Sequence, residues 1–182
     1  MSGKGFFLML KTRDLTLISS LTAMVFVLEQ ILSMVPFVQL TVFLLVLFSK
    51  KLGFLKTTLI ISIHVVLDNA FLSSFDLIFT PIMWMGWMMI PISLHTIFKG
   101  VENPWILGLI GGLCALIYCL LFIPPTLFIY HLDFLTYWIS DIPFEIGMVI
   151  SSILTIGLLY SKVSPIFDIL KENQIISTNS SI

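Results

Sequence analysis

Two pairs of ionisable residues interrupt the apolar runs of this chain. His64 and Asp68 stand four residues apart, and so do Asp141 and Glu145. On a helix that spacing puts each pair on one face. An imidazole beside a carboxylate has the parts for acid–base work, and paired carboxylates accept hydrogen bonds from a bound molecule. Glu29 and Gln30 end another apolar run, and Asn69 follows Asp68. A charge in hydrocarbon costs at least about 2.5 kcal/mol, and retained ones commonly face an internal cavity.

Each of these residues has a plainer use. Asp141 suits a helix N-cap, and Glu145 suits the positive end of the same helix. Asp68 and Asn69 lie near a helix C-terminus, where the dipole disfavours Asp, which leaves a structural hydrogen bond to His64 or to a neighbouring helix. Glu29 follows an unbroken apolar run, and cavity lining suits it best. Trp84 and Trp87 are three apart in a Met-rich stretch, too deep for an interfacial belt. They either pack the bundle or stack on a flat ligand.

Other chemistry is missing. There is no Walker A sequence, no HExxH, no GxSxG and no clustered Cys/His set. No nucleophile or second base adjoins His64 in sequence. The chain reads as a non-enzyme with no metal and no cofactor. Cys114 and Cys119 fall within one apolar run and read as packing residues.

The elements that position these groups are membrane spans. The chain is 58% hydrophobic and 10% charged over 182 residues, with a mean hydropathy of +1.10. A soluble domain of this size needs a charged shell that is missing here. Six apolar stretches run roughly over 15–34, 37–49, 55–72, 77–98, 105–123 and 142–160. The second is short for the ~20 helical residues a bilayer core takes. The expected fold is an all-α integral membrane protein with six transmembrane helices in one bundle and both termini cytoplasmic. Residues 1–172 form one domain, and 173–182 form a polar, disordered tail. The N-terminus carries no cleavable signal pattern.

The orientation follows from the cations. All nine Lys and Arg fall before the first stretch, between the second and third or at the very start of the third, after the fourth or after the sixth. The positive-inside rule puts every one in the cytoplasm. The outer half then carries Glu29, Asp68, Asp76, Asp133, Asp141 and Glu145 against no Lys or Arg. An anionic ligand is normally met by Arg or Lys, so the expected ligand is neutral or cationic. The net charge of −1 argues against nucleic acid. Residues 124–140 form an aromatic-rich outer connection, either an interfacial belt or a lid. Gly108 with Gly112, and Gly111 with Ala115, mark close helix packing inside the bundle.

The chain resembles the substrate-binding S component of energy-coupling factor (ECF) vitamin transporters. The resemblance rests on the opening run Leu15 to Leu28, the segment Ile63-His-Val-Val-Leu-Asp-Asn69, and Ser140-Asp-Ile-Pro-Phe-Glu-Ile146. It implies a bacterial plasma-membrane subunit that captures a water-soluble vitamin at the outer face. It further implies delivery by toppling on a membrane coupling subunit driven by two cytoplasmic ATPases. Ser19 and Ala23 stand where that family places a small-residue contact with the coupling subunit. Ligand contacts then fall to Glu29, Asp68, Asn69, Trp84, Trp87, Tyr137, Asp141 and Glu145. Hydroxymethylpyrimidine, a pyridoxine-like ring or a corrinoid such as cobalamin fits the missing outer cations. The alternatives are an intramembrane enzyme using His64 and Asp68, and a non-enzymatic membrane scaffold.

Overall fold

The computed structural model describes residues 12–32, 34, 40–72 and 76–179. The expectations at Lys4, Lys11, Pro36 and Ser73 to Phe75 lie outside the described residues. Six helices follow one another: α1 (Thr12–Leu32), α2 (Thr41–Leu52), α3 (Phe54–Leu72), α4 (Phe79–His95), α5 (Pro104–Tyr130) and α6 (Phe134–Asn179). No strand occurs among the described residues.

Four helices are long and apolar enough to cross a membrane: α1, α3 over Phe54–Phe71, α5, and α6 over Phe134–Ile169. The expectation of six spans is met only to that extent. The 12 residues of α2 and the 17 of α4 fall below that length. At 1.5 Å per residue α2 covers only ~18 Å. Its role is central packing: Thr41 to Ser49 are all buried, and it touches each of the other helices. A helix buried on every side needs no polar face, which accounts for its uniformly apolar sequence.

The expected outer connection over 124–140 is replaced by helix. α5 runs through Pro124 and Pro125 to Tyr130, and α6 begins at Phe134. Proline lacks the amide of a helix interior, yet the helix ends only at His131. That residue adopts a left-handed φ of 52°, and the Leu132 amide closes back on the Leu127 carbonyl at 3.3 Å. The 27 residues of α5 span ~40 Å, more than the ~30 Å of hydrocarbon. Residues 124–140 are therefore the tip of a helical hairpin rather than an irregular loop. At the far end α6 stays helical to Asn179, past the expected boundary at 172.

Glycine lets the hairpin close. A Cβ on Gly108 would stand 2.9 Å from the Ile153 carbonyl oxygen, so α5 and α6 approach backbone to side-chain-free backbone. Gly112 meets Ile153 and Val149, and Gly111 meets Ile156 and Val42. The small-residue pairs of this stretch serve internal packing.

The bundle has two chemically distinct ends. Asp14 Oδ1 pairs with Lys56 Nζ at 2.6 Å, and Asp168 Oδ2 with Lys51 Nζ at 2.7 Å. Lys50 Nζ donates to the Phe98 and Lys99 carbonyls, both at 3.1 Å. These contacts gather the described lysines of α2, α3 and the α4–α5 turn at one end. At the other end α1 and α3, which run parallel, meet at Phe26 and Phe71, ring centroids 5.3 Å apart.

Candidate functional site

Parallel α1 and α3 bring Glu29 to His64 and Gln30 to Asp68. His64 is fully buried. Its Nε2 stands 3.0 Å from Glu29 Oε2, but the ring N–H is not aligned on that oxygen, and Nδ1 has no partner among the described residues. The same Oε2 accepts from the Thr41 hydroxyl at 2.8 Å, and Gln30 Nε2 donates to Asp68 Oδ1 at 3.4 Å. His64 and Asp68 share a face as the spacing requires, yet the carboxylate that closes on His64 is Glu29.

Asn69 is committed to structure. Its Nδ2 donates to the Val65 carbonyl at 2.8 Å, and its Oδ1 accepts from the Thr80 hydroxyl at 2.9 Å. It ties α3 to the start of α4. That start is capped by Asp76, whose Oδ1 accepts from the Ile78 and Phe79 amides at 2.7 and 2.9 Å. These two amide hydrogen bonds hold the Asp76 carboxyl below its usual range.

The capping reading of Asp141 does not survive. Helix α6 starts at Phe134, and its cap is Asp133, whose Oδ2 accepts from the Thr136 amide at 3.0 Å and hydroxyl at 2.9 Å. Those bonds pull the Asp133 carboxyl below its usual range. Asp141 and Glu145 are two and three turns further on, beyond the reach of the helix terminus. Glu145 is 6% exposed. Trp138 lies beside its carboxylate, and Oε1 is buried with no hydrogen-bond partner among the described residues. Tyr137 is half-buried and lies near Thr126 across the hairpin, whose hydroxyl donates to the Phe122 carbonyl at 2.6 Å.

The two tryptophans part company. Three residues turn a helix through ~300°, which leaves a ~60° offset, and here it separates them. Trp87 is buried and stacks on Tyr118 at 4.3 Å between ring centroids. Trp84 is 39% exposed, and its Nε1 donates to Ser62 Oγ at 3.0 Å. Trp87 thus packs the bundle, while Trp84 stands at its edge. The aromatic column is Trp87, Tyr118, Phe122 and Phe79.

That column links the two polar groups. Tyr118 is within electrostatic range of Glu29 and Asp68, and its neighbour Cys119 of Asp141 and Glu145. Neighbouring residues of α5 thus each lie toward one of the two acidic groups. Ser19 and Ala23 lie apart from both, exposed on α1 in line with Leu15, Val27 and Ile31. Among the described residues no three His, Cys, Asp or Glu side chains converge as a metal set would.

No family model, curated protein or solved structure matches this chain.

Sequence reasoning missed Thr41, Thr80, Tyr118 and Trp138. The first three sit in ordinary apolar or turn contexts, and only the helix pairing reveals them. Trp138 had a signal, because it precedes Glu145 by seven residues, two helical turns on one face.

Proposed function

We propose that this chain is a membrane-embedded substrate-capture subunit of an ATP-driven importer, with six membrane segments and both termini in the cytoplasm. In two of those segments, α2 and α4, the helix is shorter than the bilayer core. The supporting observation is two partly buried acidic groups, Glu29 with Asp68 and Asp141 with Glu145, near neighbouring residues of α5 at the end of the bundle opposite the lysines. Glu145 Oε1 is an unpartnered buried acceptor, and a buried acceptor without a donor is costly unless a ligand supplies one. A neutral or cationic, donor-rich small molecule meets that need. Vitamin-like rings such as hydroxymethylpyrimidine or pyridoxine, or a corrinoid, belong to this class.

In this reading Asp141 and Glu145 accept hydrogen bonds from the ligand. Tyr137 and Trp138 close the tip of the hairpin beside them. The Glu29–His64–Asp68 cluster sets the charge on the far side of Tyr118. Trp87 holds Tyr118 in place and does not stack on ligand itself. Exposed Ser19 and Ala23 offer a small-residue face for close approach by a coupling subunit, whose two cytoplasmic ATPases supply the energy. The bacterial plasma membrane is the compartment this reading implies.

The enzyme alternative stands behind it. Thr41, Glu29 and His64 meet on one carboxylate oxygen, but the Thr41 proton already points at Glu29 and not at His64, so no activated nucleophile results. Affinity purification of the tagged chain from its native membrane tests the proposal. Recovery of one membrane subunit and two ATPases in fixed ratio is the expected result. Recovery of the chain alone from a membrane that transports the ligand would overturn it.

A further inference from the structure

The lysine end of the bundle contains a cavity of about 420 Å³ whose walls include Lys50, Lys51 and Lys99. Tyr160, Ser161 and Ser164 of α6 also face it, so hydroxyl donors stand opposite the ammonium groups. The lysines are not equivalent. Lys51 is held by both Asp168 oxygens, at 2.8 and 2.7 Å. Lys50 is fixed by two backbone carbonyls, which orient its ammonium without cancelling its charge. Lys99 is exposed and forms no ion pair among the described residues. Glu102 is the one acidic residue in the wall, and with Lys51 neutralised by Asp168 the ammonium groups of Lys50 and Lys99 outnumber it two to one.

We propose that this cavity binds an anionic phosphate group, one whose charge no attached cation cancels. Several cationic donors and hydroxyls converging on one space suit the oxygens of a phosphate better than a carboxylate's two. The volume holds a phosphorylated headgroup as well as a free phosphate compound. Trp105, next to the lining residue Pro104, is 49% exposed and packs on Gly157, as an aromatic at a membrane–water boundary would. A basic pocket between helices at the cytoplasmic boundary is a recognised setting for anionic lipid headgroups. This inference is independent of the ligand site at the other end.

The test uses the full chain in detergent, with phosphatidylglycerol or phosphatidylcholine added and the bound lipid counted by native mass spectrometry. Lys99→Gln is the variant, because Lys99 supports no ion pair. Lys162→Gln, also exposed but outside the cavity wall, is the control for general surface charge. Wild type and Lys162→Gln should retain phosphatidylglycerol over phosphatidylcholine. Lys99→Gln should bind it about fivefold more weakly, the effect of one lysine near an anionic headgroup. Displacement of the lipid by millimolar inorganic phosphate would support a free phosphate compound as occupant; persistence of the lipid would support a headgroup. Equal retention of the two lipids, or equal losses in Lys99→Gln and Lys162→Gln, would overturn the proposal.

Discussion

Glu29 Oε2 and His64 Nε2 lie 3.0 Å apart, joining two parallel helices through a carboxylate that also takes the Thr41 hydroxyl at 2.8 Å. Removing Glu29 strands the Thr41 hydroxyl and takes the carboxylate away from the buried His64. Glu29→Leu should destabilise the fold by about 2 kcal/mol, because a buried polar group left without its partner costs about 1–3 kcal/mol. The double variant Glu29→Leu/His64→Leu should recover at least half of that loss. Chemical unfolding in detergent reads both, and simple additivity of the two single losses would show that the groups are not coupled.

The close approach of α5 and α6 makes Gly108 sensitive to any side chain. A Cβ there meets the Ile153 backbone at 2.9 Å, and a backbone carbonyl cannot swing aside. Gly108→Leu should cost about 1–3 kcal/mol by overpacking. Gly100→Ala, where nothing lies within 4 Å, should be silent. Thermal unfolding midpoints of the two variants check this.

Acid should weaken the caps at Asp76 and Asp133. The Asp76 and Asp133 carboxyls are held below their usual range by backbone amides. A depressed folded value means the stabilisation is fully present above the unfolded carboxylate value of about 3.9 and is lost as pH falls through the folded one. Thermal midpoints should therefore drop below about pH 4, and Asp133→Asn should lose part of that acid dependence. An identical acid limb in wild type and variant would contradict the capping role.

Much of this architecture was legible in the chain itself. Long apolar runs announced α1, α3, α5 and α6, because hydrocarbon length leaves a plain signature. The four-residue spacings of His64 with Asp68 and Asp141 with Glu145 put each pair on a shared face. The hairpin was harder. Pro124 and Pro125 read as a helix end, since proline removes amide donors, but α5 continues through both to Tyr130. With that end misplaced, Asp141 looked like a cap, although Asp133 holds the position. The partnership of Glu29 with His64 crosses between helices and carries no local signal. Nor does the turning of Trp84 to Ser62 and of Trp87 to Tyr118.

Partner docking and ligand capture should separate by mutation. Ser19 and Ala23 are exposed on α1 and touch neither acidic cluster. Ala23→Trp should abolish co-purification of a coupling subunit while leaving ligand affinity within about twofold, since a bulky ring prevents close helix approach. Loss of both properties together would mean that the exposed face of α1 is not a separate docking surface.

The central claim is that the acidic end of the bundle captures a small donor-rich molecule. The most direct measurement is mass spectrometry of whatever the purified chain releases on denaturation, in wild type and in Glu145→Gln. The account predicts a neutral or cationic compound in near-stoichiometric amount from wild type. It predicts about tenfold weaker binding by the variant, the loss of one charge-assisted hydrogen bond. An anionic compound, or a wild-type protein that is empty and binds none of the candidate vitamins, would contradict it.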